Sequence, residues 1–305
     1  MKTKASAIIS AILIMILLGS LAYVLYERLP GELKEFKDYQ ANISKDFPTT
    51  SNQFYENMRY PDRKITYSIS DSCTKAKEES FKQAVDILEK ETVLEFFDSS
   101  DGEIKISCSN ITPTSQEKGH FILGEGGPSK IFDLATYSVI IEGKIALYRE
   151  EKCEKPIVAL HELLHALGFD HNSNPESILY PLADCDQELD IEIIETINEL
   201  YKQDSLGDLN IEKVSATKSG PYLNFEITIS NEGLRKTDKF MLKVKTKSKE
   251  IKEFEMDELD IGDKIISTVT NLNIPRSSES ITFEVYVSEE EISKENNVVT
   301  LELEG

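Results

Sequence analysis

Histidine is scarce in this sequence: there are four in 305 residues. No cysteine precedes Cys73, none follows Cys185, and no two cysteines stand in a C-x-x-C pair. Without such a pair, a cysteine-built zinc knuckle has no sequence support. Positive charge is also in deficit, with 34 basic against 55 acidic residues and a formal net charge of −21. That balance repels nucleic acid and anionic membrane surfaces. Beyond residue 205 the chain holds neither histidine nor cysteine, so chemistry needing those side chains has to reside earlier.

Three of the four histidines fall in one stretch, His161-Glu162-Leu163-Leu164-His165-Ala166-Leu167-Gly168-Phe169-Asp170-His171. A helix advances about 100° and 1.5 Å per residue, which puts His161 and His165 one turn apart on one face. From there two imidazoles can share a Zn²⁺, with Glu162 beside them and free of the metal. A continuous helix would carry His171 roughly 15 Å from His161. Gly168 tolerates the left-handed conformation that ends a helix, so the chain can turn and bring His171 back as a third ligand. Three histidines leave a fourth position for water, the open geometry of a catalytic site. Glu162 is then the candidate general base.

These residues match the metzincin pattern H-E-x-x-H-x-x-G-x-x-H. Downstream, Ser177-Ile178-Leu179-Tyr180-Pro181 resembles the Met-turn of matrixin-type metzincins, with Leu179 where methionine is usual. Asn172 stands where matrixins usually have serine. The resemblance implies that Leu179 and Tyr180 form a floor and wall beneath the metal. It also implies a zinc-dependent endopeptidase acting on polypeptides, with one catalytic Zn²⁺ and structural Ca²⁺ left open. The rival reading is a non-catalytic surface protein whose zinc site stabilises an adhesion or recognition module. The intact Glu162 argues against it.

The expected fold is α+β: a metzincin-like domain over residues 59–205, then an all-β sandwich over 206–305. Lys64–Ser70 alternates like a strand and resembles the opening strand of matrixins. Thr74–Thr92 carries a helical apolar stripe, and Glu103–Ser107 reads as a strand. Phe121, Ile122 and Leu123 are candidates for the sheet edge that receives substrate, ending in the turn-rich Glu125-Gly126-Gly127-Pro128. His120 reads as a surface or strand histidine. Ser138–Tyr148 reads as a hairpin around Glu142-Gly143-Lys144. Pro156 suits the first turn of the zinc helix, and Asp186–Tyr201 reads as a closing helix. Strand-like runs then recur at 209–217, 222–230, 240–247, 265–271, 281–287 and 298–303. Several alternate so that one face is buried, and six short strands in about 100 residues suggest a sandwich. Ile229–Gly233 and Glu295–Val299 resemble the CARDB class of cell-surface Ig-like domains.

At the other end, Met-Lys-Thr-Lys is positive and Ala5–Tyr26 is uncharged, long enough to span a bilayer, which takes about 20 residues. Residues 1–26 are therefore expected to be a single-pass anchor that places the rest outside the cell. A cleaved signal peptide and a secreted protein are the alternative. Residues 27–58 read as a linker. Outside the membrane, four cysteines suggest disulfides. Of three pairings, Cys73–Cys108 with Cys153–Cys185 is preferred. The second pair would tie the start of the zinc helix to the segment after the Met-turn. Oligomeric state has no sequence signal.

Overall fold

The computed structural model describes residues 2–41, 52–113, 122–150, 152–247 and 249–304, with side chains from Ile12 onward. His120 and Phe121 lie outside the described residues. The chain divides into two compact units.

One unit comprises residues 43–207 together with Glu232–Arg235. Its strands are β3 (Met58–Arg59), β4 (Lys64–Ile69), β5 (Glu95–Asp98), β6 (Ile104–Cys108), β7 (Gly124–Asp133) and β8 (Ser138–Leu147). The sheet order is β3-β8-β6-β4-β5, with β7 pairing β8. All the pairings are parallel except β7 with β8, so β7 forms an antiparallel edge. Helix α2 (Lys75–Glu91) is capped by Thr74, whose hydroxyl accepts from Lys77 N–H, satisfying an orphan donor of the first turn. Its Phe81, Ala84, Val85 and Leu88 enter the same apolar core as α3 (Ile157–Ala166) and α4 (Ile191–Leu200).

Three local expectations fail here, each for a physical reason. Ser138–Leu147 is one continuous strand, not a hairpin. Gly143 lies in its middle because a Cβ there would stand 2.3 Å from Tyr60 Oη; the glycine admits a close approach and makes no turn. Glu125-Gly126-Gly127-Pro128 lies within β7, not in a turn. Pro128 is tolerated on this edge, beside a register shift between Pro128 and Lys130, where its missing donor costs little. Helix α4 begins at Ile191, with Asp190 at its N-cap, so residues 186–189 lie before the helix.

The other unit comprises residues 1–42, 208–231 and 236–305. β9 (Leu209–Ser219), β10 (Tyr222–Asn231) and β13 (Lys264–Asn273) form one sheet. β11 (Phe240–Lys245), β12 (Glu250–Met256), β14 (Ser280–Tyr286) and β15 (Val298–Glu302) form the other. Along β10, Leu223, Phe225, Ile227 and Ile229 are all buried, the period-two pattern of a half-buried strand. Phe225 meets Phe283 of the second sheet with ring centroids 4.9 Å apart, so the inner faces close on one core. β12 escapes the sequence reading because its Glu and Lys residues disguise an edge strand.

The expected linker also takes part. β1 (Leu33–Glu35) and β2 (Tyr39–Gln40) both pair antiparallel with β9, and Phe36 is buried in the sandwich core. Helix α1 spans Lys2–Arg28. Arg276 donates to the carbonyls of Tyr26 and Leu29 at its C-terminal end. Among the described residues no helix is long and apolar enough to cross a membrane. Side chains are described only from Ile12, so the apolar stretch described is shorter than the uncharged run in the sequence. The expected membrane segment gains no support from the fold.

Candidate metal centre

Every residue of α3 is buried, an unusual state for a helix carrying two histidines and a glutamate. Pro156 stands at its N-cap and Leu167 at its C-cap. Gly168 follows with φ of +99°, a conformation that favours glycine. The space there is closed as well, because a Cβ on Gly168 would meet Met58 Cγ at 2.5 Å. The turn therefore needs glycine on two counts, and it brings His171 back toward the helix.

The three imidazoles converge. The Nε2 atoms of His161 and His165 are 2.9 Å apart, and each lies 3.2 Å from Nε2 of His171. Tetrahedral zinc with Zn–N bonds of about 2.0–2.1 Å needs ligand nitrogens roughly 3.3 Å apart, so the donor set fits that ion. The opposite ring nitrogens fix the orientation. His161 Nδ1 donates to Ile178 O at 2.6 Å, and His165 Nδ1 donates to Phe169 O at 2.7 Å. Each contact selects the tautomer whose Nε2 lone pair points inward. Burial, then its histidine neighbours, lowers the His161 pKa to about 4, and burial lowers that of His165. Both rings are thereby kept neutral, as a metal ligand requires.

Glu162 is 6% exposed. Burial first, and then the charge of Glu125, raises its pKa to about 8. The cover is β7. A Cβ on Gly124 would stand 2.7 Å from Glu162 Cγ, and one on Gly126 would stand 2.3 Å from the Glu162 carbonyl oxygen. These alternate glycines let the edge strand lie directly on the zinc helix. The sequence reading missed them, although the Gly-x-Gly spacing of a strand face was visible. Of the expected substrate-edge residues, Ile122 and Leu123 are half-buried and precede the strand, and Leu123 O accepts from Tyr148 N–H. Among the described residues β7 pairs on its β8 side only, and its glycines let it lie on α3.

Leu179 is fully buried in the core that holds α3, while Tyr180 is half-buried. Below His171 lies a network the sequence did not reveal. Ser177 Oγ donates to Asp190 and accepts from Asn172 Nδ2 at 2.6 Å and from Leu179 N–H at 3.0 Å. Asn172 N–H in turn donates to Leu179 O. Asn172, where matrixins usually have serine, thus fastens the third histidine's turn to the Leu179 turn. Cys73–Cys108 and Cys153–Cys185 are both formed. The second joins the approach to α3 to the segment beyond Tyr180.

Residues 59–202 match the family model described as Matrixin. That segment is similar to the matrixin metallopeptidases. No curated protein matches the chain. Among solved structures, one similar chain is the CARDB domain of a Pyrococcus furiosus protein in complex with di-metal ions. It is 17% identical, covers 32% of this chain and 92% of that one, and has a TM-score of 0.27. That likeness is slight, and the sandwich is defined by its own strand order. Within the matrixin-like domain, the matched region contains the three histidines, Glu162 and the Leu179 turn.

Proposed function

We propose that this protein is a zinc-dependent endopeptidase acting outside the cell. The observation that carries the reading is the convergence of three oriented Nε2 atoms beside a buried Glu162. His161, His165 and His171 would hold the ion. When bound, zinc supplies Lewis acidity to water and to the scissile carbonyl. Glu162 takes the proton from the attacking water on its carboxylate and returns it to the leaving amine. β7, paired only on its β8 side among the described residues, offers its outer edge to an extended peptide as an added strand. The carbonyls of Ile178 and Phe169 keep the imidazoles in register through the cycle. Tyr180 and the residues after His171 line the side-chain pocket.

Placement outside the cell is supported by the two disulfides and by the positive residues ahead of the uncharged Ala5–Tyr26. The exposed apolar side chains of α1 from Ile12 to Tyr26 fit attachment to a membrane.

Incubation of the full chain with a peptide library, with and without zinc, tests the reading. Zinc-dependent internal cleavage is expected. Stoichiometric zinc with no cleavage of any peptide would overturn it in favour of a zinc-stabilised recognition protein.

A further inference from the structure

Two lysines stand directly opposite each other where β1 meets β9, Lys34 being the cross-strand partner of Lys218. Like charges so placed are destabilising. Lys218 follows Val214 and Ala216 on the buried face of β9 and is only 5% exposed. Its Nζ donates to Arg276 O at 2.6 Å and to Ser278 O at 2.7 Å. Two carbonyls use two of the three ammonium donors and neutralise no charge. An inward-pointing lysine can guard a sheet edge, but β1 already covers this one.

A third cation joins them. Lys34, Lys218 and Arg276 line one cleft of about 340 Å³, beside the close approach of Gly31 to Gly220. Among the described residues none of the three forms an ion pair. Arg276 Nε is buried without a hydrogen-bond partner. Glu32 and Glu279 line the same cleft, so three cations face two carboxylates. Burial first, then the charges of Lys34 and Arg276, lowers the Lys218 pKa, and Glu279 opposes them by less. A charge taken out of water calls for a counter-charge, and the cleft leaves room for one.

Its place in the fold names the anion. Tyr26 borders the cleft, and Arg276 Nη2 donates to Tyr26 O and Leu29 O at the C-terminal end of α1. The exposed apolar side chains of α1 run from Ile12 to Tyr26. With those side chains in lipid, the cleft lies at the level of the headgroups, where basic clusters bind lipid phosphate.

We propose that Lys34, Lys218 and Arg276 form a phosphate-binding cleft that takes the headgroup of a phospholipid. The cleft is independent of the peptidase reading, and only the source of its phosphate rests on membrane attachment through α1.

The test titrates the full chain, in uncharged detergent, with dihexanoyl phosphatidylglycerol, dihexanoylglycerol, glycerol phosphate and inorganic phosphate, read by calorimetry. The phospholipid should bind, and dihexanoylglycerol, which lacks the phosphate, should bind about tenfold or more weakly. Lys34→Gln should weaken phospholipid binding about fivefold, the worth of one basic residue at a membrane surface, and Lys218→Met should weaken it more. Added salt should weaken the parent's binding and affect Lys34→Gln less. Lys34 is exposed, so Lys34→Gln keeps the test decisive even where Lys218→Met fails to fold.

Phospholipid binding that is unchanged in Lys34→Gln and insensitive to salt would overturn the cleft, since α1 alone then holds the lipid. Glycerol phosphate or inorganic phosphate binding as tightly as the phospholipid would overturn the headgroup assignment in favour of a soluble phosphate. Flotation of the parent with phosphatidylcholine vesicles checks attachment separately. A parent that does not float removes the membrane reading and the headgroup assignment with it, whereas a parent that floats but shows no preference for the phosphate removes this inference alone.

Discussion

The two units reach order by different means. The sandwich is built from local pattern: alternate apolar residues on β10 fall into the core, and its described strands hold no disulfide. In the matrixin-like unit, local pattern yields to the site. β7 and β8 carry glycine and proline at positions that look like turns, yet both are ten-residue strands. The reason is contact: Gly124, Gly126 and Gly143 sit where another group already occupies the space of a Cβ. Departures from local propensity cluster where a functional arrangement has to be fitted, and here Gly124 and Gly126 lie against Glu162 of the candidate metal centre.

That contrast can be broken most sharply at Glu162. Glu162→Ala should lower kcat/KM by about 10²–10⁴-fold, the range for loss of a general base, while metal analysis shows zinc retained. Near-parental turnover in the zinc-loaded variant would remove the role of Glu162.

Leu234 sharpens the boundary between the units. The sequence reading gives all of 206–305 to the sandwich, yet Glu232–Arg235 cluster with the matrixin-like unit. Leu234 is 0% exposed there, its N–H donates to Leu206 O at 2.7 Å, and Glu232 accepts from Ala135 N–H at 2.8 Å. Leu234→Ala should cost about 2–5 kcal/mol, measured by denaturant unfolding and read as earlier loss of peptidase activity. If activity persists to the parental denaturant midpoint, these residues do not support that unit.

Gly126→Ala tests the claim that contact, not turn formation, explains the glycine. Overpacking against the Glu162 carbonyl should destabilise by about 1–3 kcal/mol and weaken zinc retention under chelator challenge. A silent Gly126→Ala would mean that β7 is free to shift away from α3.

The smallest effect is expected in the sandwich, at Glu291. Burial raises its pKa, so the folded state holds its proton more tightly than the unfolded chain. Its contribution is fully present below the ordinary carboxylate pKa and is lost as pH rises through the folded value. The difference in unfolding free energy between the parent and Glu291→Gln should therefore shift toward the parent as pH falls into that window. A pH-independent difference would show that Glu291 titrates alike in both states.

Much of the metal site was legible in the residues themselves. Helical spacing, a glycine and a third histidine specify a metal triad because ligand geometry follows from 3.6 residues per turn. The sandwich strands were legible for a similar reason, since a period of two survives wherever one face is buried. The sequence also favoured the cysteine pairs that form. Only the tertiary structure laid β7 on α3, because that depends on Gly124 and Gly126 meeting a helix more than thirty residues away in the chain. It alone drew residues 33–35 and 39–40 of the expected linker into the sandwich sheet and laid Phe54 beside His165. Those placements are non-local pairings of backbone and packed surface, and a one-dimensional pattern carries no record of which partner a free edge or an exposed ring will meet.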